Sequence, residues 1–123
     1  VKTPKRIYAN IQEKLGQQKA TIALVDFSEQ FILFSAYPIV HFGYHTSNEG
    51  QLLAAYQWLS RTGEHKYLLV DERLVSEECF DLNQQISVGY AHRKNWLLLP
   101  ASGLKRRCLD NTTNAVMYRY PHE

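Results

Sequence analysis

Hydrophobic residues occur along this chain in short bursts whose spacing switches between helical and strand periods. Ile7, Ile11 and Leu15 recur at i, i+4 and i+8, with Thr3 placed to cap a helix, Pro4 at its first position and Gly16 to end it. The same segment would equally serve as a tether entering the domain. Thr21 to Val25 is an apolar run rich in β-branched residues, bounded by Gln17, Gln18 and Lys19, and predicts a buried strand that ends at Asp26. From Asp26 to Tyr44 the chain carries its densest polar and aromatic pattern. Phe27, Phe31 and Phe34 share one helical face behind Ser28 as N-cap, which predicts a two-turn helix; a strand over Phe31 to Phe34 is the alternative. Pro38 ends that segment, Ile39 to Phe42 predicts the next strand, and Gly43 permits a sharp exit.

Thr46, Ser47, Asn48 and Glu49 supply caps for the clearest helix, Glu49 to Arg61, with Leu52, Leu53, Tyr56 and Leu59 as its buried stripe, Ala55 allowing close approach and Gly63 as its stop. Tyr67 to Val70 is a short buried strand ending, like the first, at an aspartate, Asp71. Ser76 is placed to cap a brief helix over Glu77 to Phe80. Strands are expected at Ile86 to Tyr90 and at Trp96 to Leu99, closed by Pro100. A polar loop from Ala101 to Asn114 leads to a half-exposed edge strand over Ala115 to Tyr120. Helix and strand alternate with short connections through the first half. That order predicts one α/β domain with a mostly parallel, helix-covered, three-layer Rossmann-like sheet and antiparallel strands toward the C-terminus.

Composition narrows the function classes. A length of 123 residues fits one domain with a real core. The net charge of +2, with acids and bases interspersed, offers no general attraction to nucleic acid. The short cluster Lys105, Arg106 and Arg107 is more simply a solvated loop than a phosphate or lipid-headgroup contact. Apolar runs stay far short of the roughly 20 residues needed to span a bilayer. The chain starts at Val1 without a signal segment, so it is expected to be a fragment of a longer protein.

Cys79 and Cys108 lack CxxC or zinc-finger spacing; two free buried thiols are one outcome, and a bridge in an oxidising compartment the other. Asn111-Thr112-Thr113 fits the N-glycosylation triplet, a pattern that often arises by chance.

Ligands of an open parallel sheet bind outside the carboxyl ends of its strands. On the predicted strands that edge collects Asp26, His41 with His45, Asp71 with Arg73, and His92 beside Arg93. These are the candidate ligand-binding residues. A metal is not expected, because His41 and His45 straddle a strand end and Gly43 instead of sharing a helix face, and HEXXH is absent. Asp26 and Asp71 would more commonly cap the segments that follow them. No GxSxG elbow, GxGxxG or GxxxxGK[ST] occurs, so no catalytic residue and no cofactor is assigned. Most of the eight tyrosines are expected at the core's edge, with a sugar-stacking surface as the rarer alternative.

The residues Asp26-Phe27, Glu29-Gln30-Phe31, Pro38, His41-Phe42-Gly43, Glu49, Trp58-Leu59 and Tyr67 to Val70 follow an order that resembles the soluble C-terminal region of bacterial glycosyltransferase family 39. That family is similar to the dolichyl-phosphate-mannose protein mannosyltransferases and the lipid A aminoarabinose transferases. The resemblance spans about Thr21 to Asp71. It implies a polytopic membrane enzyme moving a sugar from a polyprenyl-phosphate carrier to a protein or lipid acceptor, with its catalytic groups outside this chain. The chain itself would be a non-catalytic accessory domain at the periplasmic face of the bacterial inner membrane. Its implied partners are the membrane-embedded part of the same protein, the acceptor and lipid headgroups. An extracytoplasmic location also favours a Cys79–Cys108 bridge. The competing expectation is a stand-alone small-ligand or metal-binding module built on Asp26, His41, Asp71 and His92.

Overall fold

A computed structural model describes residues 4–26, 29–43, 45–61, 65–109 and 116–120. Three helices, α1 (Lys5–Leu15), α2 (Glu29–Leu33) and α3 (Asn48–Ser60), accompany six strands: β1 (Thr21–Leu24), β2 (Ile39–His41), β3 (Lys66–Asp71), β4 (Ile86–Ala91), β5 (Lys94–Pro100) and β6 (Tyr118–Tyr120). The strands form one sheet in the order β4-β5-β3-β1-β2-β6.

β1 pairs in parallel with β2 and β3, while β5 runs antiparallel to β3, β4 to β5, and β6 to β2. The expected mostly parallel, helix-covered Rossmann-like class is therefore wrong: the sheet is mixed and mostly antiparallel, and its six strands outnumber the three helices found among the described residues, so the fold is more sheet-rich than that class. The reason lies after β3. Residues 72–85 return the chain so that β4 runs in the same direction as β3, but at the edge of the sheet, one place removed from it. Within that return Ser76 to Phe80 makes a single turn, the Ser76 carbonyl accepting from the amides of Cys79 at 2.9 Å and Phe80 at 3.0 Å, flanked by 3₁₀ turns at Glu72–Leu74 and Leu82–Gln84. β4 and β5 are then joined only through His92 and Arg93, a connection short enough to impose antiparallel pairing.

The core follows the strand period of two. Ile22, Leu24, Leu69, Trp96 and Leu98 meet Ile7, Tyr8, Ile11 and Leu15 of α1 and Phe31 and Ile32 of α2 on one face. On the other, Ala23, Val25, Val40, Leu68, Val70, Leu97 and Leu99 meet Ala54, Ala55, Tyr56, Trp58 and Leu59 of α3, with Phe80. Burial on both faces explains why β1, β3 and β5 read as unbroken apolar runs.

α1 carries the expected stripe, and its Tyr8 hydroxyl donates to the Phe31 carbonyl, tying α1 to α2. Asn10 Nδ2 donates to the Val88 carbonyl at 2.7 Å, holding α1 against a β-bulge at Ser87 and Gly89. Thr3, Phe27, Ser28 and Gly63 lie outside the described residues. Of the expected two-turn helix, the described residues show Glu29–Leu33 as α2. In α3 the Ser47 hydroxyl accepts from the Gly50 amide at 3.2 Å, as a cap should. The buried stripe is displaced from the expected one: Leu52 and Leu53 are half-buried, while Gln51, Ala54, Ala55 and Trp58 join Tyr56 and Leu59 inside, because the small alanines let the helix lie close on the sheet.

The loops after β3 and β5 are locked together. Phe80 bridges Leu104, Asp81 N donates to Gly103 O at 2.8 Å, and Lys105 N donates to Cys79 O at 2.9 Å. Cys79 and Cys108 form a disulfide there, their Cα atoms 5.4 Å apart, half-buried against the α3-side core. No helix among the described residues is long and apolar enough to cross a membrane.

Candidate functional site

Where β1 and β3 end, their carboxyl termini lie side by side, Leu24 being in register with Leu69. Asp26 and Asp71 each sit two residues farther on. β5 arrives antiparallel with Trp96 opposite Asp71, so Lys94 projects one pleat beyond it on the α1 side of the sheet. Lys94 Nζ donates to Asp26 Oδ2, and the Asp26 amide donates to Gln51 Oε1 at 2.9 Å. Gln51, only 3% exposed, also donates from Nε2 to the Thr46 carbonyl at 2.9 Å, so one buried amide fixes both the end of β1 and the entry to α3.

Asp71 is buried, yet it is paired. The Arg73 amide and Nε donate to its Oδ1, at 3.0 and 3.3 Å, and Nη2 donates to Oδ2 at 2.8 Å. Burial pushes the Asp71 carboxyl up, but these hydrogen bonds and the positive charges of Arg73 and Lys94 outweigh it and hold the carboxyl below its ordinary value. The same pairing raises the Arg73 guanidinium above its usual value. Asp71 thereby also caps the 3₁₀ turn Glu72–Leu74.

The remaining candidates are dispersed around this pair. His92 is exposed in the β4–β5 turn, its ring centroid 5.4 Å from that of Phe31. His41, the last residue of β2, accepts on Nδ1 from the Gly43 amide at 3.2 Å and stacks on Tyr118, centroids 5.2 Å apart at 16°. His45 is exposed in the loop before α3. Thus the edge brings Asp26 and Asp71 under the influence of Lys94, draws Arg73 onto Asp71, and turns His41 toward β6. Among the described residues no group of three or more His, Cys, Asp or Glu side chains could hold a metal ion. Among the described residues, the non-glycine ones with left-handed backbone are Asp26 (φ 67°), His92 (φ 55°) and Arg93 (φ 66°), all at this same end.

The chain matches no family model, no curated protein and no solved structure. Function therefore rests on the geometry. Asp71 is held ionised by the Arg73 guanidinium, and Asp26 accepts from Lys94, so each carboxylate is engaged by a cation. The arrangement is suited to fixing the chain ends, and to presenting Arg73, His92 and Arg93 to solvent.

Sequence reasoning missed Lys94 and Gln51. Lys94 left one signal, its period-two alignment with the buried Trp96 and Leu98. Gln51 left none, being a polar residue outside the expected stripe of Leu52, Leu53, Tyr56 and Leu59, although it is buried with Ala54, Ala55 and Trp58.

Proposed function

We propose that this chain is a non-catalytic extracytoplasmic accessory domain of a polytopic membrane glycosyltransferase that transfers a sugar from a polyprenyl-phosphate carrier to a protein or lipid acceptor. The observation that carries this reading is the Cys79–Cys108 disulfide, since such bonds persist in oxidising compartments and are rare where thiols are kept reduced. The placement of the family-like residues supports it. Pro38 to Gly43 build β2 and its exit, Glu49 lies in the first turn of α3, Trp58 and Leu59 are buried, and Tyr67 to Val70 lie in β3. The domain would rest on the membrane-embedded part of the same chain at the periplasmic face of the inner membrane, beside the acceptor or lipid headgroups.

The test is alkylation in intact cells followed by fractionation. Cys79 and Cys108 are expected to resist alkylation until reduced and the chain to sediment with membranes. Two freely alkylated thiols in a soluble fraction would overturn the proposal.

A second reading, a stand-alone small-ligand module, is favoured by Asp26, held in left-handed backbone (φ 67°) at the carboxyl edge, because such backbone persists where its surroundings enforce it and clusters at binding sites, whereas His92 and Arg93 are left-handed because a two-residue hairpin turn requires it. Saturable binding of a small anion, abolished by Lys94→Met, would select it.

A further inference from the structure

A depression of about 380 Å³ lies at the opposite end of the sheet, where β1 and β2 begin. Its volume is within the roughly 300–1,000 Å³ usual for small-molecule pockets. Gly16, at φ 63°, turns the chain sharply out of α1, and its carbonyl accepts from the Tyr37 hydroxyl at 2.9 Å, joining the helix end to the turn before β2. The Ser35 hydroxyl accepts from the Tyr37 amide at 3.0 Å and donates to the Tyr37 carbonyl at 2.7 Å, so that turn is itself held. Gln18 Nε2 donates to the Tyr67 hydroxyl at 2.8 Å, which fixes the other wall to β3. The walls are thus preorganised by contacts among three separate elements.

The lining has a definite chemistry. Gln12, Gln17 and Thr21 offer groups that both donate and accept, Lys19 offers one cation, and Ala20 and Pro38 supply apolar surface. No carboxylate lines it among the described residues. Vicinal hydroxyls likewise donate and accept at once, and the C–H faces of a sugar ring need apolar surface beside those groups. A single lysine next to the carbonyl end of α1 is a poor anion trap, since that end of a helix carries partial negative charge. We infer that this depression is a binding site for a neutral, hydroxyl-rich ligand: a pyranose or the terminal residue of a glycan. It goes beyond the accessory-domain reading and does not depend on it, being far from the carboxyl edge and involving no transfer step.

The experiment is a nuclear magnetic resonance titration of the ¹⁵N-labelled full chain with glucose, galactose, mannose and N-acetylglucosamine, and separately with inorganic phosphate and acetate. At least one neutral sugar is expected to give saturable shifts at millimolar concentration in the amides of Gln12, Gly16 to Thr21 and Tyr37. Gln12 and Gln17 are exposed, so Gln12→Ala and Gln17→Ala should fold, and each should weaken binding about fivefold, the worth of one hydrogen bond. Saturation by phosphate or acetate alone, no saturation by any of the sugars, or unchanged affinity in both variants would overturn the inference. The cell-alkylation result bears on none of these outcomes, so this site and the accessory role fail separately.

Discussion

Reducing the Cys79–Cys108 bond removes a cross-link between residues 29 positions apart while leaving both sulfur atoms in place. In the chain-entropy description, closing a loop of that length removes about 12 cal/mol/K from the unfolded ensemble, or about 3.6 kcal/mol at 25 °C. For 123 residues the entropy of unfolding near the midpoint is about 0.26 kcal/mol/K, so the loss corresponds to a fall in Tm of about 14 °C. The assay is equilibrium urea unfolding of the chain with and without a phosphine reductant, followed by tryptophan fluorescence, since Trp58 and Trp96 are both buried. The oxidised and reduced curves should differ by about 3–4 kcal/mol with both forms folded in water. A difference below about 1 kcal/mol would refute the reasoning. It would mean that the loops carrying Phe80 and Leu104 stay associated in the unfolded chain, so that the covalent bond removes little freedom.

Three other substitutions probe the fold and the carboxyl edge. Asp71→Asn should lower stability in urea unfolding at pH 7, because the buried side chain at 71 loses the charge to which the Arg73 amide and guanidinium donate. The Asp71 carboxyl is depressed in the folded state, so its contribution is present above the unfolded value near pH 4 and is lost as pH falls through the folded one; the variant's stability should consequently fall less steeply between about pH 5 and pH 2. The buried Tyr56 hydroxyl has no hydrogen-bond partner among the described residues, and burial pushes its ionisation up to about 12, so Tyr56→Phe should raise stability by about 1 kcal/mol. Burial also raises Tyr8; with both folded values above the unfolded one near 10, stability should decline as pH rises past about 10, and an ultraviolet titration should show these two ionising only with unfolding. Gly103→Ala would set a Cβ 2.4 Å from Phe80 Cζ, a fully buried ring, and should cost about 1–3 kcal/mol by thermal denaturation.

Local periodicity made much of the secondary structure legible. The stripe of Ile7, Ile11 and Leu15 marks α1, and the caps at Ser47 and Glu49 start α3, because helix faces and orphan amides are satisfied within a few residues. The apolar runs of β1, β3 and β5 likewise announce strands buried on both faces. The Phe-rich stretch after Asp26 is less legible: α2 spans only Glu29–Leu33, with Phe31 buried at 1% exposure and Phe34 at 38%.

Strand direction, pairing and the contact of Lys94 with Asp26 were decided only in three dimensions. Whether β5 lies parallel or antiparallel to β3 depends on how residues 72–93 travel: β4 returns in the direction of β3 at the sheet edge, and the two-residue turn at His92 and Arg93 folds β5 back between them, antiparallel to both. The same pairing carried Lys94 to Asp26 across 68 positions, a contact that no local spacing encodes. His41, three residues into a predicted strand, went to Tyr118 because β6 paired with β2 and not with its neighbours in sequence. Periodicity determines which face of an element is apolar; which element that face meets is set by the joint packing of the whole sheet. That is why the elements, and the gathering of Asp26, Asp71 and Arg73 at the carboxyl edge, could be read from the chain while the strand pairing and the Lys94–Asp26 contact could not.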